Sequence, residues 1–212
     1  MRPRAIRWSD PETRRTEFPA RRRTLPGLYC RTVSNDPNPP LHPALEYLEP
    51  LLGRWSGEGE GEYPTIETFR YGEEVRFWHT GKPFLVYSQR TWSLDDGRPL
   101  HAETGYWRAV GNRQVEVVLT HPTGVVEIEE GVIADGVIDL RSTVVGCTST
   151  AKEVTQLSRR LVLGPEVPGG DGGSSGSLSY NVDMAAVGLP LQHHLAATLY
   201  RDASELRRPR KD

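Results

Sequence analysis

The sequence has 212 residues, of which 36% are hydrophobic and 25% charged, with a formal net charge of −2 and a mean hydropathy of −0.53. This length suits one domain with tails, and the lack of a long apolar run predicts no transmembrane helix. The near-neutral charge gives no indication of nucleic-acid binding. Two cysteines, Cys30 and Cys147, are too few for a metal cluster, so we expect free thiols in a reducing cytoplasm.

Residues 1–41 form an extension rich in arginine and proline. It has no sustained apolar period, so it buries too little surface to offset the entropy of ordering it. It also lacks the apolar core of a secretory signal. We predict a disordered, solvated segment here, and a second disordered tail of charged residues at 202–212. The arginines of the extension are Arg2, Arg4, Arg7, Arg14, Arg15, Arg21, Arg22, Arg23 and Arg31.

Residues 42–52 predict a short helix that leads into the folded domain. Leu45, Leu48 and Leu52 fall on one helical stripe, and Pro50 would end or bend the helix. We expect this segment to cover one end of the domain that follows.

A glycine-rich stretch, residues 53–64, organises the rest of the chain. Gly53, Gly57 and Gly59 share one face of a strand with Trp55. Glycine at alternate positions suits a strand that bends sharply and is approached closely by another group. Trp55 would then fill one end of a barrel.

From residue 53 onward the pattern is that of short strands separated by glycine, asparagine and aspartate turns. The strands recur every eight to twelve residues or so, which is typical of an antiparallel sandwich or barrel. No helix of ordinary length lies between them, so βαβ folds are excluded. The stretch 164–177 is rich in glycine and serine and is interpreted as an inserted hairpin tip without a phosphate-binding role.

The motif GxWxGxG, formed by Gly53, Trp55, Gly57 and Gly59, resembles the start of the nitrobindin family. The similarity continues in order over roughly residues 42–201. It runs through Phe69–Val75, His79–Phe84, His101–Tyr106, Ala151–Val154 and His194–Leu195. The resemblance implies an all-β fold, an antiparallel β-barrel of about ten strands similar in shape to fatty-acid-binding proteins (calycin-type).

The same resemblance implies a function. Nitrobindins hold one non-covalent haem b per chain, mainly ferric, in an open pocket. They convert peroxynitrite to nitrate, with the iron acting as a Lewis acid, and they bind nitric oxide reversibly. Two alternatives stay open: a non-enzymatic carrier of a small hydrophobic ligand, and a nitric oxide sensor or store without turnover. The oligomeric state also stays open, with a homodimer as one option.

Two adjacent histidines, His193 and His194, are candidates for the iron ligand. In a strand they point to opposite faces. Alternation places His193 with Leu195, Ala197 and Leu199, the more apolar face, unless the strand begins only after Leu195. In nitrobindins, however, the ligand is the histidine directly before this leucine. We therefore predict His194 as the axial ligand, with His193 as a competitor. The sequence does not identify which group accepts a hydrogen bond from the other ring nitrogen of His194.

Two further residues are implied by the resemblance to bind haem. Thr65 follows the Tyr-Pro step and would lie at the haem edge. Lys152 would pair with a haem propionate, because an ammonium group suits an anionic partner. For Thr65 a hydroxyl capping a turn, and for Lys152 a solvated surface lysine, are equally good interpretations. We expect the apolar walls to come from Phe77, Phe84, Val86 and Leu199.

The remaining polar residues give weaker signals. His79, His101 and His121 could line the open side of the iron, although solvated histidines at strand ends are the favoured interpretation. Glu127, Glu129 and Glu130 are predicted to face solvent rather than to form a catalytic carboxylate pair.

Overall fold

The computed structural model describes residues 39–165, 167–168 and 174–202. Most of the predicted N-terminal extension, the tail after Asp202 and Cys30 lie outside these residues. Cys147 is a free, exposed thiol, as predicted. No helix in the described part of the chain is both long and apolar enough to cross a membrane.

A 3-10 helix and twelve strands make up the described part of the chain. The helix is Pro43–Leu51. The strands are β1 (Gly53–Tyr63), β2 (Ile66–His79), β3 (Phe84–Ser93), β4 (Pro99–Gly111), β5 (Gln114–Thr120), β6 (Val125–Ala134), β7 (Val137–Cys147), β8 (Val154–Leu163), β9 (Val167–Pro168), β10 (Ser174–Ser175), β11 (Ser177–Ala186) and β12 (Gln192–Arg201).

Ten of these strands close into one antiparallel barrel, in the order β1-β12-β11-β8-β7-β6-β5-β4-β3-β2. Closure is made by β1 and β12, whose register runs from Trp55 opposite Arg201 to Gly61 opposite Leu195. Each of the ten strands thus pairs with a neighbour on both sides, although β7 pairs with β8 only over 137–141. The predicted barrel of about ten strands is therefore confirmed.

The segment between β8 and β11 forms a hairpin extension. Leu163 of β8 pairs with Leu178 of β11, and the short strands β9 and β10 pair with each other beyond this point. The pairing of β8 with β11 ends at this insertion, where the sequence predicted an inserted hairpin, and residues 169–173 at its predicted tip lie outside the described residues.

The alternation of β5 shows why these sequences form a barrel with a filled interior. Val115, Val117 and Leu119 point inward and are at most 1% exposed, whereas Thr120 and Gln114 are exposed. Apolar residues at every second position bury one face of a strand and leave the other in water. Repeated around the ring, this pattern places the core inside the barrel.

The 3-10 helix closes one end of the barrel. Leu45, Leu48 and Leu51 are fully buried. The predicted third member, Leu52, is only half-buried, because a 3-10 helix repeats every three residues rather than every 3.6. The indole N–H of Trp55 donates a hydrogen bond to the Leu51 carbonyl at 2.8 Å, which fixes the helix to the start of β1.

The glycines of β1 permit the close approach that the sequence predicted. A Cβ atom on Gly57 would lie 2.1 Å from the Thr198 carbonyl oxygen, and one on Gly59 would lie 2.4 Å from the Tyr71 ring. Gly53 adopts a φ of +116°, which disfavours any residue with a side chain. Trp55 is fully buried and fills the end of the barrel at the helix.

Candidate functional site

A cavity of about 960 Å³ occupies the barrel at the end opposite the helix. Its lining includes residues of five connections between strands, those joining β1 to β2, β3 to β4, β5 to β6, β7 to β8 and β11 to β12. Ligand pockets typically measure roughly 300–1,000 Å³, so this one can hold a large flat ligand.

His194 lines this cavity and His193 does not. The reason is a β-bulge in β12: His193 pairs with Asp183 and Leu195 pairs with Val182, so His194 is an extra residue between two consecutive pairs. The bulge interrupts the alternation, which lets His194 and Leu195 both face the cavity. His193 instead lies outside, with its Nδ1 3.7 Å from the Asp183 carboxylate.

The orientation of the His194 ring is set by β1. Its Nδ1 lies 3.0 Å from the carbonyl oxygen of Glu62. A carbonyl oxygen only accepts, so Nδ1 carries the proton and Nε2 keeps its lone pair. The ring also makes an edge contact with Tyr63, at 5.4 Å between centroids. Burial lowers the pKa of His194, which favours the neutral imidazole that metals bind. Glu62 thus supplies the acceptor that the sequence did not identify.

Thr65 and Lys152 reach the same cavity as His194. Thr65 is exposed in the turn between β1 and β2, and Lys152 is exposed in the connection between β7 and β8. The three residues are far apart in the sequence, and the fold brings them to one opening.

The predicted apolar walls are correct in part. Phe77 and Leu199 line the cavity. Phe84 and Val86 do not, because they alternate with the buried Leu85 on the outer face of β3. Phe84 instead packs edge-on against Tyr106, with ring centroids 5.4 Å apart.

A buried charged cluster lies in the wall of the cavity. Arg159 donates two hydrogen bonds to Glu103, at 3.1 and 3.2 Å, and one to Glu127, and its Nε lies 3.1 Å from a carboxylate oxygen of Glu129. Tyr87 donates a further hydrogen bond to Glu103 at 2.7 Å. The three carboxylates are at most 3% exposed. One guanidinium, on a side chain that is 12% exposed, therefore faces three buried carboxylates.

The prediction that Glu127 and Glu129 face solvent is wrong, whereas Glu130 is exposed as expected. The two buried glutamates lie at alternate positions after the buried Val125, so strand alternation carried a signal for their position. Sequence reasoning missed Arg159 because a single arginine in a strand does not reveal its partners.

The electrostatics of these carboxylates differ. Burial opposes the charge of Glu103 and Glu127, but Arg159 outweighs it and lowers the pKa of both. Burial raises the pKa of Glu129 despite the same guanidinium. Burial likewise raises the pKa of Glu73 to about 7, although Tyr180 and Gln89 donate hydrogen bonds to it at 2.7 and 2.9 Å.

The three other candidate histidines separate into two groups. His101 and His121 line the cavity, with 3.0 Å between Nε2 of the first and Nδ1 of the second. The His121 side chain is only 8% exposed, so the interpretation as a solvated histidine is wrong for this residue. His79 is absent from the cavity lining among the described residues, and its Nδ1 accepts a hydrogen bond from the backbone N–H of Gly81 at 3.3 Å.

Together, these features define a closed antiparallel β-barrel with one capped end and a histidine-lined cavity at the other. A family model described as "THAP4-like, heme-binding beta-barrel domain" matches residues 44–201. The chain belongs to this family, which confirms the resemblance noted from the GxWxGxG motif.

Named relatives support the same grouping. The chain is 55% identical over 166 residues to a protein of Mycobacterium marinum named peroxynitrite isomerase 2, covering 76% of this chain and 96% of that protein. It is 52% identical over 170 residues to a protein of Nocardia farcinica named peroxynitrite isomerase, covering 78% of this chain and 95% of that protein. The crystal structure of Rv2717c from M. tuberculosis aligns with a TM-score of 0.67 at 48% identity, covering 77% and 99% of the two chains.

Proposed function

We propose that this protein binds one ferric haem b non-covalently through His194 and isomerises peroxynitrite to nitrate. The observation that carries the proposal is the neutral imidazole of His194, held by Glu62 with Nε2 free at the wall of a large cavity. Membership in a haem-binding barrel family and the names of the relatives support it.

The residues around the cavity fit a porphyrin. The volume suits a large flat ligand, and Leu195 next to His194 and Leu199 deeper in the barrel add apolar surface. Lys152 at the rim offers a cation for a propionate, and Thr65 offers a hydroxyl. Haem would be placed with its charged edge toward water and its apolar face inside the barrel.

When bound, ferric haem supplies a Lewis-acidic iron for the conversion of peroxynitrite to nitrate. The chain supplies the rest. Glu62 holds the His194 proton on Nδ1, so that the imidazole remains neutral and correctly oriented. Reversible binding of nitric oxide at the same site is part of the proposal.

The test is stopped-flow decay of peroxynitrite with hemin-loaded protein. We expect faster decay with nitrate as the product, and loss of this acceleration in His194→Ala. Hemin binding without acceleration would instead favour a nitric oxide sensor or store. Failure to bind hemin, with retention of a fluorescent fatty acid, would favour a carrier.

We also infer that two copies of the chain associate through the outer face of β2–β7. A row of apolar side chains crosses these six strands in register: Trp78, Val86, Tyr106, Val118, Ile128 and Val144. Tyr106 is 50% exposed and Val144 is 51% exposed. Contiguous apolar surface of this kind is typical of a protein interface, and a second copy would cover it symmetrically.

A further inference from the structure

A second group of potential metal ligands lies across the barrel from His194. His101 belongs to β4, and His121 directly follows β5. In the ring of ten strands, β5 is five positions from β12, so it lies on the opposite wall. Glu103 of β4 completes the group, and all three side chains line the cavity.

The geometry of the three atoms matches a metal site. His101 Nε2 and His121 Nδ1 are 3.0 Å apart, and they lie 3.9 and 3.4 Å from the Glu103 Oε2 atom. The circle through these three atoms has a radius of about 2.0 Å, which is the length of zinc–nitrogen and zinc–oxygen bonds. A metal ion at its centre would lie within bonding distance of all three atoms, and its bonds would replace the hydrogen-bond contact between the two imidazoles.

The hydrogen bonding of His121 also suits a ligand. Its Nε2 lies 3.1 Å from the Glu127 carboxylate, which accepts the ring proton and leaves the lone pair on Nδ1. A carboxylate that holds a histidine in this way is the usual support of a metal-binding imidazole.

The local charge favours a cation. Three buried carboxylates, Glu103, Glu127 and Glu129, surround the single guanidinium of Arg159. Within the described residues, Glu127 Oε2 and Glu129 Oε1 lack a hydrogen-bond donor. A buried excess of negative charge is unfavourable unless protons or a cation neutralise it.

We propose that His101, His121 and Glu103 form a binding site for a divalent first-row transition ion of the zinc class, separate from the proposed haem site. Two imidazoles and one carboxylate are a borderline ligand set that suits such ions. His101 keeps 34% of its side chain exposed, so the ion can enter from the cavity and retain a solvent ligand.

The test uses haem-free, full-length protein without an affinity tag, titrated with Co²⁺ and monitored by visible absorption. We expect one Co²⁺ per chain, displaced by Zn²⁺. His101→Gln should lower the affinity at least about tenfold. The matched control His79→Gln changes a histidine outside the cavity lining and should bind as the wild type does. Equal binding by His101→Gln, or no saturable binding by the wild type, would overturn the proposal.

Two further measurements keep the result independent of folding and of haem. A Zn²⁺-soaked crystal of the wild type should show anomalous density between His101, His121 and Glu103, and its absence there would refute the site. Co²⁺ binding should persist in His194→Ala, which removes the proposed haem ligand. Its loss in that variant would place the ion at His194 instead.

Discussion

The imidazole of His194 donates a hydrogen bond from Nδ1 to the carbonyl oxygen of Glu62 across the β1–β12 pair, at 3.0 Å. This contact joins the first and last strands of the barrel at the point where the cavity opens. Because the acceptor is a backbone atom, its position depends on the register of β1 rather than on any side chain.

Replacement of His194 tests this arrangement most directly. His194→Ala should lose the sharp Soret band and bind hemin about a hundredfold more weakly or worse, because the substitution removes the proposed axial ligand of the haem iron. His193→Ala is the matched control, since this neighbouring side chain lies outside the cavity, and it should keep the band. The opposite pattern in a hemin titration would identify His193 as the ligand.

Lys152 should contribute modestly to haem affinity. Lys152→Met is expected to weaken hemin binding about three- to fivefold, because an exposed ion pair contributes up to about 1 kcal/mol. The difference should shrink in high salt. Lys82→Met, in the connection between β2 and β3 outside the cavity lining, should have no effect. Equal hemin affinities for both variants at low salt would contradict a role for Lys152 at the propionates.

Glu73 should make the stability of the barrel depend on pH. Burial raises its pKa from 4.5 to about 7, so the folded state holds this proton more tightly than the unfolded state. The resulting stability is fully present below pH 4.5 and is lost as the pH rises to about 7. Glu73→Gln stays neutral at every pH and avoids the cost of a buried charge. In urea unfolding, its free energy of unfolding should exceed that of the wild type by about 3 kcal/mol at pH 8 and by less than about 1 kcal/mol at pH 5.

The neighbouring Glu74 provides the control for this measurement. Its side chain is 24% exposed and pairs with Arg90 on the outer face. Glu74→Gln should give no gain in stability at pH 8. A Glu73→Gln protein that is less stable than the wild type at pH 8 would show that the carboxylate is ionised without penalty.

Tyr106 tests the proposed dimer. A carboxylate in the centre of the apolar row should separate the two copies, so Tyr106→Glu is expected to have the mass of a monomer by light scattering, with the wild type at twice that mass. Tyr200→Glu changes a tyrosine with 56% exposure on β12, away from the row, and should remain a dimer. A monomeric wild type at micromolar concentration would refute the interface.

Local pattern was sufficient for the strands of an antiparallel sandwich or barrel, and the resemblance to nitrobindins indicated the barrel and the residues of the proposed site. Alternation in segments such as β5 fixes which face is buried, and Gly57 and Gly59 mark where β1 is approached closely. Both features depend on near neighbours in the chain or on backbone sterics. The inward position of His194 could not be obtained in this way. The β-bulge at this residue shifts the register of β12, so the alternation of the later residues does not extend back to His194 and His193.

The sequence alone determined a set of short antiparallel strands with a glycine-rich first strand, since period-two hydrophobicity and turn residues are local properties. Its resemblance to nitrobindins indicated that these strands close into a barrel. Tertiary structure decided which polar groups meet inside it. Arg159 and Glu103 are 56 residues apart, and His194 and Glu62 are 132 apart. Such pairs form only when the barrel closes and brings distant strands together. A buried charge or donor needs a partner, and spacing in the sequence does not specify which residue that partner is.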